Sequence, residues 1–130
     1  MSYTVDFDAE TGIVYIRVFG QLDRAAAPAV VGELMQLMRA RSCRAVINDL
    51  RDTDVRFGAV DLFEISRLVD RHRLADGVPR AVIVGGEHEL AGFYETVNAN
   101  LGHRVRVFTD PDEARTWLAS TATPAARSAG

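Results

Sequence analysis

The chain has 130 residues, a length that suits one domain able to bury its own core. Apolar residues make up 48% and charged residues 25%, and the net charge of -3 argues against a nucleic-acid partner, which needs clustered basic surface. All 15 basic residues are arginine and Cys43 is the single cysteine, which excludes lysine chemistry, an intrachain disulfide and a cysteine zinc cluster.

The first residues, MSYTVDFD, lack a basic stretch followed by an apolar core, and no apolar run reaches the ~18 residues of a membrane helix. A cytoplasmic protein without an integral membrane segment is expected. Tyr3, Val5 and Phe7 alternate with Thr4 and Asp6, the period of a half-buried strand. A turn ending at Gly12 leads into the β-branched and aromatic run Ile13 to Phe19, so the two strands form a hairpin. Gly20 to Arg24 turns the chain, with Asp23 placed to cap the next helix. Val30, Leu34, Leu37 and Met38 then recur on one helical face, and Arg39 and Arg41 suit its C-terminal end.

Ala45, Val46, Ile47 and Leu50 mark a central buried strand that breaks at Asn48 and Asp49 into a charged loop, Arg51 to Phe57. A helix over 60–74 follows, with Phe63, Leu68 and Val69 on its apolar stripe and Asp76-Gly77-Val78-Pro79 as its stop. Arg80 to Val84 reads as a short buried strand. Gly85-Gly86 turns into a helix carrying Leu90, Phe93, Tyr94, Val97 and Leu101. Val105 and Val107 alternate with Arg104 and Arg106 in a last, edge strand. Asp110-Pro111-Asp112-Glu113 is the clearest helix start, and Ala114, Trp117 and Leu118 anchor that helix. The domain spans residues 1–119, and the small, polar residues 120–130 are expected to be a disordered tail.

The order β-β-α-β-α-β-α-β-α describes an α/β domain. It has a five-stranded mixed sheet, an opening hairpin and right-handed parallel crossovers. This order, with the phrases FGQLD (Phe19 to Asp23), INDLRDTD (Ile47 to Asp54) and VRVFTDPDEARTWL (Val105 to Leu118), resembles the STAS domain. STAS denotes the sulfate-transporter and anti-sigma-factor-antagonist superfamily. The similarity is greatest to its small stand-alone SpoIIAA-like bacterial branch. The resemblance implies a non-catalytic regulatory module whose partner is a protein, of the anti-sigma-factor or kinase-like kind. It also implies a phosphorylated serine at the start of the helix after the third strand. Here that position falls at about Gly58, and no Ser or Thr lies between Arg56 and Glu64.

Candidate chemistry gathers at the carboxyl end of the third strand, where open α/β sheets build their sites. Asp49, Asp52, Asp54 and Asp61 have the oxygen chemistry of a Mg²⁺ site, and Arg51 and Arg56 can instead neutralise them. Phe57 is an apolar ring in a polar segment: a partner anchor, a lid over an apolar pocket, or core. The histidines (His72, His88, His103) show no metal-ligand spacing, and Cys43 has no histidine placed beside it. The Gly85-Gly86 turn lacks both the dinucleotide and the Walker pattern, and Glu87 and Glu89 suit a helix dipole. No cofactor and no metal is expected. The partner- or ligand-binding set is Arg51, Asp52, Thr53, Asp54, Arg56, Phe57, Gly58 and Asp61. The alternatives to protein binding are a carrier or sensor of a small apolar ligand or lipid, and a Mg-dependent enzyme on the Asp49–Asp61 segment. A homodimer would use an edge strand or a helix face.

Overall fold

The computed structural model describes residues 2–71, 77–86 and 88–128. Its elements follow the expected order: β1 (Ser2–Asp8), β2 (Ile13–Leu22), α1 (Ala27–Ala40), β3 (Ala45–Val55), α2 (Ala59–Arg71), β4 (Arg80–Ile83), α3 (Ala91–Asn100), β5 (Val105–Phe108) and α4 (Pro111–Ser128). The strands form one sheet in the order β1-β2-β3-β4-β5. β1 pairs antiparallel with β2 and every other pair is parallel, so β5 is an edge as its alternating arginines suggest. At the hairpin, Gly12 adopts φ 74 and lies so close to Arg44 that a Cβ would meet that side chain at 2.8 Å.

The strand alternation divides the core between the two sheet faces. Val14, Ile16, Val18 and Val46 pack against Val31, Leu34, Met35 and Met38 of α1 and Val69 of α2. Ala45, Ile47, Ala81 and Ile83 face the other way, onto Ala114 and Leu118 of α4, with Ile13, Tyr15, Phe108 and Trp117 around them. The central strands are therefore covered on both faces, which is why they read as continuous apolar runs.

Several expectations are corrected. The segment after Leu50 is not a loop: β3 continues to Val55, paired with an equally prolonged β2 through Phe19↔Asp52 to Leu22↔Val55. Its charges conceal a period of two, with Asp52 and Asp54 exposed and Thr53 and Val55 half-buried. A register shift lies between Arg17/Phe19 on β2 and Asp49/Asp52 on β3, a bulge that re-aims the side chains beyond it. Asp23 does not cap α1. Its carboxylate accepts the Ala26 N–H (3.1 Å) in the turn that precedes the helix. Phe63 and Phe93, placed on apolar stripes, are 43% and 38% exposed, because α2 and α3 bury narrower faces than their sequences offer. α4 runs from Pro111 to Ser128. Asp110 does cap this helix, its carboxylate accepting the Asp112 N–H at 2.9 Å. Gly77 has the left-handed φ of 76 suited to ending a helix, but His72, Leu74 and Asp76 lie outside the described residues, as does Glu87.

Candidate functional site

β3 crosses from the buried centre of the sheet to its carboxyl-terminal rim, and the predicted site residues follow it outward. Asp49 comes first and is 1% exposed. It is the hub of a small polar cluster on the α4 face of the sheet. Tyr15, from the neighbouring strand, donates its hydroxyl to Asp49 Oδ2. Arg51 folds back and clasps the carboxylate with Nε (3.0 Å) and Nη2 (2.7 Å), while its backbone N–H adds a third bond at 3.2 Å. Burial opposes ionisation of Asp49, but the bonds from Arg51 and Tyr15 outweigh it and hold the carboxyl down at about 2. The same contacts raise the Tyr15 hydroxyl, through burial first and then the adjacent carboxylate, and raise the Arg51 guanidinium. Gly85 closes over this cluster: a Cβ there would lie 3.3 Å from the Arg51 carbonyl oxygen.

The remaining aspartates are not gathered around a common centre; each meets its own arginine. Arg17 Nη2 lies 2.6 Å from Asp52, Arg56 Nε 2.8 Å from Asp54, and Arg24 Nε 2.6 Å from Asp61. Among the described residues no group of three or more His, Cys, Asp or Glu is placed to hold a metal ion. Asp61 has a second task. It is the third residue of α2, and its other oxygen accepts the Gly58 N–H at 3.0 Å, which holds the start of the helix. That bond, and then Arg24, lower the Asp61 carboxyl from its usual range. Thr53 turns inward and donates to the Val18 carbonyl at 2.6 Å. The expected set is thus split. Arg51, Asp52, Asp54 and Arg56 form ion pairs at the rim, Thr53 ties β3 to β2, Gly58 and Asp61 build the α2 terminus, and Phe57 turns under the helices.

There Phe57 lines a cavity of about 130 Å³ between the sheet and helices α1, α2 and α3. The walls are almost wholly apolar, with Val18, Leu34, Leu50, Val69 and Val82 among them. One charged residue intrudes: Arg80, 2% exposed, which opens β4. Its Nη2 donates to Asn98 Oδ1 (3.0 Å), and Asn98 in turn donates to Ser66 Oγ (3.1 Å) and the Tyr94 carbonyl (3.0 Å). This chain of bonds joins α2, α3 and β4 beneath the cavity. The sequence reading passed over it, although an arginine opening a strand of the buried type was a visible signal. Tyr15, Arg17 and Arg24 give no local signal: strand register brings the first two to Asp49 and Asp52, and the docking of α2 beside the end of β2 brings Arg24 to Asp61.

Other candidates resolve into packing and turn roles. Cys43 donates its thiol to the Ala45 carbonyl (3.4 Å), and burial pushes its acidity down by raising the thiol's pKa. His103 is buried with Nε2 2.8 Å from Asp70, linking the loop before β5 to α2. His88 Nδ1 accepts the Leu90 N–H (3.3 Å) at the start of α3, whose first turn holds no acidic residue. Glu95 accepts the Val107 N–H at 2.8 Å, engaging a backbone group of the edge strand. Among the described residues no helix is long and apolar enough to cross a membrane.

No protein-family model and no curated protein matches the chain. Solved structures do. An anti-sigma factor antagonist from Mycobacterium paratuberculosis is 20% identical, with a TM-score of 0.61, over 90% of this chain and 94% of that one. The anti-sigma factor antagonist SpoIIAA in its unphosphorylated form is 12% identical, with a TM-score of 0.59, over 90% and 97%. A protein from Shewanella loihica with a SpoIIAA-like fold is 15% identical, with a TM-score of 0.55, over 90% and 92%. By its sheet order and by these likenesses, the chain has the SpoIIAA-like fold.

Proposed function

We propose that this domain is a non-catalytic, cytoplasmic regulatory module that binds a protein partner through the outer face of α2 and the adjoining end of β3. The observation that carries this reading is the placement of exposed apolar side chains. Among the described residues the large exposed hydrophobics are Val60 (63%), Phe63 (43%) and Phe93 (38%). Two lie three residues apart on one side of α2, and the third is on α3, the helix packed against it. Arg67 stacks over Phe63 at 5.8 Å, giving the patch an aromatic–arginine pair of the kind that anchors interfaces. The similarity to anti-sigma factor antagonists supports a partner of the anti-sigma-factor or kinase-like class.

The contact would be constitutive rather than switched by a phosphoserine. Gly58 stands at about the position where the resemblance implies serine, and the Asp61 carboxylate already accepts its N–H. The paired aspartates of β3 would form the polar rim of the interface.

The test is site-specific photo-crosslinking in the native host. A photoreactive residue at Phe63 should yield a discrete adduct, and one at Thr116 on α4 should not. Adding Val60→Glu should abolish the adduct. Equal labelling from both positions, or an adduct indifferent to Val60→Glu, would refute this face as the interface.

A further inference from the structure

We infer that the cavity beneath α1, α2 and α3 is a binding site for a small carboxylic acid with an apolar body, its carboxylate held by Arg80. The volume sets the size of that body. A cavity of about 150 Å³ accommodates benzene, so the 130 Å³ found here suits a single ring or a chain of about six carbons. The walls set its character: leucine, valine and isoleucine side chains from both the sheet and the helices, with Phe57 and Tyr94 at two sides.

Arg80 sets the polarity of the ligand. A guanidinium cation this deeply buried is costly unless an anion compensates it. Arg80 forms no ion pair among the described residues; its side-chain partner is the neutral amide of Asn98. Its Nε–H is buried and finds no acceptor among the described residues. A fork-shaped donor with one arm engaged and one open matches a carboxylate. Because Arg80 and Val82 share one face of β4, and both line the cavity with Val84 just beyond the strand, the cation and the apolar walls belong to one compartment. Asn98 and Ser66 fix the guanidinium from behind, as a preorganised site requires. A neutral hydrocarbon would leave that cation uncompensated, so the ligand is an acid rather than a purely apolar molecule. The site is separate from the exposed face of α2, and either can fail alone.

Titration of the full chain with sodium benzoate and sodium hexanoate, against benzyl alcohol and 1-hexanol, tests this. In NMR spectra at neutral pH, millimolar benzoate or hexanoate should shift the Arg80 Nε–H resonance together with the methyls of Val82 and Leu50. The alcohols should bind at least about tenfold more weakly, since they lack the charge-assisted bond. Arg80→Met should erase the preference for the acid, and Val84→Phe should exclude acid and alcohol alike. If neither acid moves the Nε–H resonance, or the alcohols bind as tightly as the acids, the assignment is wrong. The wild-type spectra decide this even if Arg80→Met fails to fold. A folded Arg80→Met chain that keeps the preference would also overturn it.

Discussion

Asp49 ties the stability of the fold to pH. Its carboxyl titrates at about 2 in the folded chain, below its unfolded value of 3.8. A depressed carboxyl contributes stability above the unfolded pKa and loses it as pH falls through the folded one. The window is therefore about pH 4 to 2, and the contribution above it is on the order of 2 kcal/mol. Urea denaturation should show Asp49→Asn less stable than wild type at pH 7 by about that amount, with the gap closing towards pH 2. A gap independent of pH would mean that packing, not charge, is lost. Cys43 offers a second check: with its thiol raised by burial, it should react with a disulfide reagent far more slowly in the native chain than after unfolding.

At the scale of elements, α2 and α3 are joined to β4 by the bonds among Ser66, Asn98 and Arg80. Asn98→Ala strips partners from two buried groups at once, and a cost of about 2–4 kcal/mol is expected in urea denaturation. Ser66→Ala removes two bonds, its own to the Leu62 carbonyl and the one from Asn98, but leaves Asn98 its bonds to Arg80 and the Tyr94 carbonyl, so a smaller cost of about 1–2 kcal/mol is expected. Equal losses for the two variants would contradict the hub role of Asn98. By contrast, Phe63→Glu on the outer side of α2 touches no core and should change stability by less than about 0.5 kcal/mol. Its stability and its partner binding should therefore separate.

For the whole molecule, the doubly covered sheet makes the centre unforgiving. Ile47 has no exposed surface, and Ile47→Ala should cost roughly 2–5 kcal/mol. The same architecture sets the apolar cavity on the face that carries α1, α2 and α3. The α4 face closes tightly on small residues such as Ala45, Ala81 and Ala114, whereas the other face must seat three helices over one sheet. The charged rim at the carboxyl end of β3 and the buried cation at the amino end of β4 thus lie towards opposite ends of the sheet.

Much of this was readable in the chain itself. Local periodicity and turn chemistry act over a few residues, so the hairpin at Gly12, the buried run Ala45 to Ile47, the start of α4 at Asp110-Pro111 and the order of nine elements followed from neighbours alone. Polar alternation was harder: Asp52-Thr53-Asp54-Val55 has the period of a strand, but its charge disguised it as a loop. Pairing across elements was out of reach. That Arg17 meets Asp52, that Arg24 meets Asp61, and that Arg80 lies among valines with an open donor all depend on register, a bulge and helix docking. Those are long-range contacts, chosen by how buried surfaces fit together, and no short stretch of sequence encodes them.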